Sequence, residues 1–165
     1  MKPRTCLLFT QALATLLVMG CTTVKEYTSP VEVRAAANSS FKDWERLDFY
    51  VGGLNTWVAP KAAVTRNDIL FATEDTNAFG EQTVTLQFTS YGAAVMDKLS
   101  TERMSRPVAV LLDGKIIAAP VLAMPVSNTL TINFGKSKEG VREARALEEM
   151  VNERSDSGSG MTSAN

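Results

Sequence analysis

The chain predicts a two-layer α+β sandwich, a mostly antiparallel sheet with helices on one face. Three observations carry that expectation. Within residues 41–154 the hydrophobic period switches repeatedly between 2 and 3.6, the repeats of strands and helices. Asp113-Gly114 separates two apolar runs and marks a tight hairpin, because both residues tolerate positive φ. The elements read β-α-β-α-β-β-β-α, an order suited to helices gathered on one side of an antiparallel sheet.

Each element has its own warrant. Leu47, Phe49 and Val51 alternate with Asp48 and Tyr50 and give a half-buried first strand. Thr65 is a helix N-cap, opening a short helix over Asn67–Thr73 with Ile69 and Ala72 inward. Glu74–Gln82 (EDTNAFGEQ) is acidic and turn-rich, so it reads as a loop. Thr83–Thr89 alternates: Val84, Leu86 and Phe88 on a packed face, Thr83, Thr85, Gln87 and Thr89 on a wet one. A helix over Tyr91–Arg103 has Gly92, Val95, Met96 and Leu99 as its buried stripe. Val108–Leu112 is a continuous apolar strand, and Lys115–Ala118 returns beside it until Ala119-Pro120 ends the ladder. Thr129–Phe134 alternates again, with Leu130, Ile132 and Phe134 on one face. Ser137 caps a final helix whose stripe is Val141, Ala144, Leu147 and Val151.

The ends are different. Lys2 and Arg4 precede an uncharged run, Cys6–Met19, that ends in Gly20-Cys21, the pattern of an export signal. That run is shorter than the roughly 20 apolar residues a spanning helix needs. Val18-Met19-Gly20-Cys21 resembles a bacterial lipobox, which makes residues 1–20 a lipoprotein signal peptide and Cys21 the lipidated first residue of the mature chain. Residues 21–40 read as a flexible tether, 41–154 as the folded domain, and 155–165 as a disordered tail. After cleavage 15 basic residues face 18 acidic ones, a net charge of about −3 that disfavours a nucleic-acid surface. With Cys21 acylated and Cys6 removed, no disulfide is available, so the core alone must hold the domain. The chain has no histidine, which excludes Ser-His-Asp and Cys-His catalysis and the usual zinc sites. An enzyme is not expected, and neither a cofactor nor a metal. The carboxylates Asp68, Glu74, Asp75, Glu81 and Asp113 are scattered; Glu74, Asp75 and Glu81 match no calcium-loop spacing.

The stretch VTLQFTSYGAAVMDKLSTERMSRPVAVLLDGKIIAAPVL resembles the head of the first periplasmic domain of the SecD protein-export family. Gly92-Ala93 sits at the helix start, Met96 at the family's apolar position, and Val108-Ala109-Val110 on its strand. Asp113-Gly114-Lys115 matches its turn and Ala118-Ala119-Pro120 its strand end, while Val64-Thr65 and Asp68-Ile69 resemble the entry to its short helix. The likeness spans Val64 to Leu147. Three positions depart from it: Ser100 stands where threonine is usual, and Ser105 and Asn133 stand where glycine is favoured. SecD also carries transmembrane helices and works with SecF in a proton-driven cycle. No apolar segment after Cys21 is long enough to span, so no proton path is expected here.

Two functions follow as expectations. The resemblance implies a polypeptide-binding domain accessory to export or to the folding of secreted proteins. It would use the wet face (Thr83, Thr85, Gln87, Thr89, Thr129, Thr131 and Asn133) or a free sheet edge. The alternative is a lipoprotein scaffold or inhibitor that docks one folded envelope partner through Tyr50, Trp57 and Phe79. Either way the protein faces the periplasm on a lipid anchor. Thr22 is not the aspartate that commonly retains lipoproteins at the inner membrane, which favours the outer one.

Overall fold

The computed structural model describes residues 29–49 and 55–156. The expected signal peptide, Cys21, Tyr50, Val51 and everything after residue 156 lie outside the described residues. The α+β class holds, with every strand pairing antiparallel, but the strands form two sheets rather than one.

The first sheet is built around β1 (Val31–Ala37). β7 (Val108–Leu112) runs along one side of it, while β4 (Val64–Thr65) and β3 (Thr56–Val58) share the other. β2 (Glu45–Leu47) extends the sheet beyond β3, and β8 (Lys115–Ala118) beyond β7. β1 corrects the expected tether of 21–40, whose second half is a central strand. Val31 and Val33 are fully buried on one side and Ala36 on the other. Its remaining side chains hide it from pattern reading, since alanine is a poor strand former and carries little hydrophobic signal. Glu32, 4% exposed, takes Arg34 Nε at 2.6 Å, so this pair can sit inside the ladder.

The second sheet has the order β5-β6-β9, from β5 (Ile69–Thr76), β6 (Gln82–Phe88) and β9 (Thr129–Gly135). β5 replaces the helix expected over Asn67–Thr73. Thr65 does lead into a turn, a single 3₁₀ turn at Arg66–Asp68, with its N–H and Oγ1 both donating to Asp68 Oδ2 at 2.8 Å. Ile69 and Ala72 do point inward. Their i, i+3 spacing comes from a bulge between Ile69 and Phe71, which shifts the alternation by one residue and imitates a helical period. The expected loop Glu74–Gln82 shrinks to Asn77–Glu81, where Asn77 Oδ1 accepts from the N–H groups of Phe79 and Glu81.

α1 (Ser90–Glu102) buries Gly92, Met96 and Ser100, and Thr89 caps it by accepting from Gly92 N–H at 3.1 Å. A side chain at Gly92 would collide with the carbonyl oxygen of Asp68, which is why this helix begins on glycine. α2 (Lys138–Asp156), capped by Ser137 Oγ, lies on the second sheet with Ala144, Leu147 and Val151 fully buried. It runs two residues into the expected tail. The main core lies between the two sheets and the helices. A smaller cluster of Ala36, Val58, Ala109, Leu111 and Ile116 fills the far side of the first sheet, with Leu47 and Phe49 against it. The Asp113-Gly114 turn forms as expected, with φ of 49° and 74°.

Candidate functional site

The expected wet face exists on β5-β6-β9, opposite α2. Register places Phe71, Thr73 and Asp75 beside Gln87, Thr85 and Thr83, and these beside Thr129, Thr131 and Asn133. Thr85 and Thr131 hydroxyls bond each other at 3.0 Å. Two expected members differ. Thr83 is buried and donates to Asp75 O, and Thr89 is the cap of α1 rather than part of the face. Leu70 and Phe71, each about half exposed, bring apolar surface to one end of the face; reading this segment as a helix concealed them.

The edges of this sheet are treated unequally. Along β5 the outward backbone groups are occupied by side chains from α2. Asn152 accepts from Ala72 N–H and donates to Ala72 O, both at 3.0 Å, and Glu148 Oε1 accepts from Glu74 N–H at 3.2 Å. Asp75 Oδ1 takes the next, Thr76 N–H. Arg66, buried, locks the same corner by donating to Ile69 O at 2.9 Å and to Val151 O. Neither Arg66, Glu148 nor Asn152 was legible as functional or structural, because their partners are backbone atoms distant in sequence.

β9 closes the second sheet on its other side, and β8 closes the first. Between them lies a groove of about 660 Å³, within the range of ligand sites. Ile117, Ile132 and Phe134 line its apolar part, and Asp48, Glu139, Glu143 and Lys115 its charged part. Lys115 Nζ sits 3.6 Å from Glu143, leaving carboxylates in excess.

The scattered acids have structural employment. Glu81 accepts from Asn77 Nδ2 and Asn133 Nδ2, and these two bonds, Asn77 first, hold its carboxyl below the usual carboxylate range. Glu74 takes Gln82 Nε2 at 2.6 Å, and Asp68 anchors the 3₁₀ turn. Among the described residues no group of three or more His, Cys, Asp or Glu could hold a metal ion. Of the expected docking aromatics, Phe79 is 78% exposed at the β5–β6 turn, whereas Trp57 is half-buried in β3. A further apolar surface went unforeseen: Met104, Val121 and Met124 are exposed where the end of α1 meets the segment after β8. Arg103 lies beside it, 5.2 Å from the Trp44 ring; burial and then Arg106 push its guanidinium below its ordinary value.

The departures from the expected family pattern acquire reasons here. Ser105 holds φ of 63°, the left-handed region that glycine fills without strain. Ser100 is fully buried, donates to Asp97 O and accepts from Val126 N–H at 2.7 Å. Asn133 Oδ1 takes Gly135 N–H at 2.7 Å.

No helix among the described residues is long and apolar enough to cross a membrane. Residues 45–152 match the family model of the SecDF P1 head subdomain. Over 64 residues the chain is 33% identical to the protein translocase subunit SecD of Acidaminococcus fermentans, which covers 39% of this chain and 15% of that relative. It therefore spans a small part of the curated relative's length. A solved SecDF, described as a membrane component that enhances protein export, shares the fold at TM-score 0.52 and 18% identity. That likeness covers 73% of this chain and 60% of the other. SecDF in a super-membrane-facing form matches at 0.52 and 21%, over 73% of this chain and 18% of the other. With two thirds of the sequence inside the family model and the antiparallel α+β fold in place, this chain belongs to the SecDF P1 head subdomain family.

Proposed function

We propose that the protein is a bacterial envelope lipoprotein, acylated at Cys21 and facing the periplasm. Its head domain binds polypeptide as an accessory to export or to the folding of secreted proteins, without catalysis. The observation that carries this reading is the open groove between β8 and β9, in a domain whose family belongs to protein export. Lipidation rests on the lipobox pattern, and two or three acyl chains would make attachment stable where one gives only marginal binding. Outer-membrane sorting is proposed from Thr22.

The test is photo-crosslinking in living cells from reactive residues placed at Thr85 on the open face and at Lys115 in the groove. Recovery of newly exported chains supports the reading; recovery of none at either position removes it. Replacing Cys21 with alanine should leave the protein unprocessed or unattached, and unchanged membrane attachment would contradict the anchor.

A second reading has its own observation. Exposed Met104 and Met124, next to Arg103, are residue types enriched at specific interfaces, and exposed Val121 adds apolar area beside them. A pull-down that yields one stoichiometric folded partner, lost on Met124→Asp and insensitive to secretory load, would favour a dedicated docking protein.

A further inference from the structure

The groove brings two strand edges face to face. Lys115 and Leu112 flank the two-residue turn and exchange both hydrogen bonds, so the next β8 residue, Ile116, turns its N–H and C=O away from β7. In β9 the phase follows from Phe88 N–H bonding Asn128 O. Leu130 and Ile132 face β6, and Thr131 and Asn133 turn their backbone groups outward. Among the described residues no hydrogen bond reaches the outward N–H of Ile116, Thr131 or Asn133. Ile116 and Asn133 both line the groove.

We infer that this groove takes an extended polypeptide segment as an added strand between β8 and β9, joining the two sheets. This rests on the polypeptide-binding reading above and names the kind of segment and how it is held. Backbone pairing supplies sequence-tolerant affinity, and alternate side chains meet the apolar lining of Ile117, Ile132 and Phe134. The charge balance fixes the flank. Three carboxylates, Asp48, Glu139 and Glu143, face two cations, Lys115 beside Glu143 and Arg142 3.5 Å from Glu139. This one-charge excess favours a segment with lysine or arginine at its end. β8 and β9 come within 8 Å at their nearest Cα atoms. Strands on either side of a shared third are about 9.5 Å apart, so occupancy has to spread the edges at their nearest approach.

The test uses the full-length protein and a fluorescein-labelled peptide of about ten residues, valine at alternate positions and lysines at one end, read by anisotropy. Methylating either set of alternate peptide amides should weaken binding about tenfold, since each set supplies one edge's bonds. Asp48→Lys with Glu139→Lys, both on exposed side chains, should weaken binding of this peptide several-fold and flatten its salt dependence. No saturable binding, affinity unchanged by methylation of both sets, or affinity unchanged by the charge reversal overturns the inference. In cells, capture of exported chains from Thr85 but not from Lys115, which lines the groove, would remove this groove while leaving the export reading intact.

Discussion

β5 and β9 are the two outer strands of one three-stranded sheet, and they meet the same physical problem differently. An edge strand exposes a row of N–H and C=O groups that will accept another chain. On β5, Asn152 and Glu148 from α2 occupy those groups, and Arg66 pins the end of the helix to the start of the strand. On β9 the outward edge opens, at Asn133, onto a groove whose far wall is another uncapped edge. One edge is closed with three long side chains, and the other is left open over an apolar, acid-rimmed lining. Such asymmetry within one sheet is what a domain needs if it is to take up one strand without aggregating through the other.

The comparison can be broken first on the closed side. Arg66→Ala removes donors to two buried carbonyls and should cost about 3–4 kcal/mol in urea unfolding, the largest effect among these variants. Asn152→Ala should cost about 1–2 kcal/mol, and it should also raise self-association in light scattering, because Ala72 then presents a bare edge. On the open side the balance reverses. Thr131→Pro replaces an outward N–H at an edge position where proline is tolerated, so stability should fall by under about 1 kcal/mol while peptide binding is lost. Ser105→Gly relieves a left-handed backbone and should stabilise by about 0.5 kcal/mol without touching either edge.

The smallest effect is one of pH. Asn77 and Asn133 bond the ionised form of Glu81, so its folded-state value lies below its unfolded one. That contribution is complete above the ordinary carboxylate range and disappears as pH falls through the lowered value. The stability difference between the wild type and Glu81→Gln should therefore shrink on acidification. A difference that stays constant would show that these bonds do not depend on charge.

Much of this architecture was legible because its signals are local. The Asp113-Gly114 turn, the serine cap and the stripe of α2, and the alternation of β6 and β9 each lie within a few residues. β1 was not legible, because three alanines dilute its pattern and its stability comes from neighbours on both sides. β5 was misread because a bulge gave strand residues a helical spacing. For the site, the polar face could be read from alternation. The closure of one edge and the opening of the other could not, since Ala72 and Asn152 meet across 80 positions.

The most direct test of the central claim is hydrogen exchange on the full chain, followed by amide, with and without the lysine-flanked peptide at saturation. The account predicts added protection at Ile116, Thr131 and Asn133, and no change at Ala72 and Glu74, whose amides α2 already holds. Protection confined to β5, or spread over the threonine face without reaching those three amides, would contradict it.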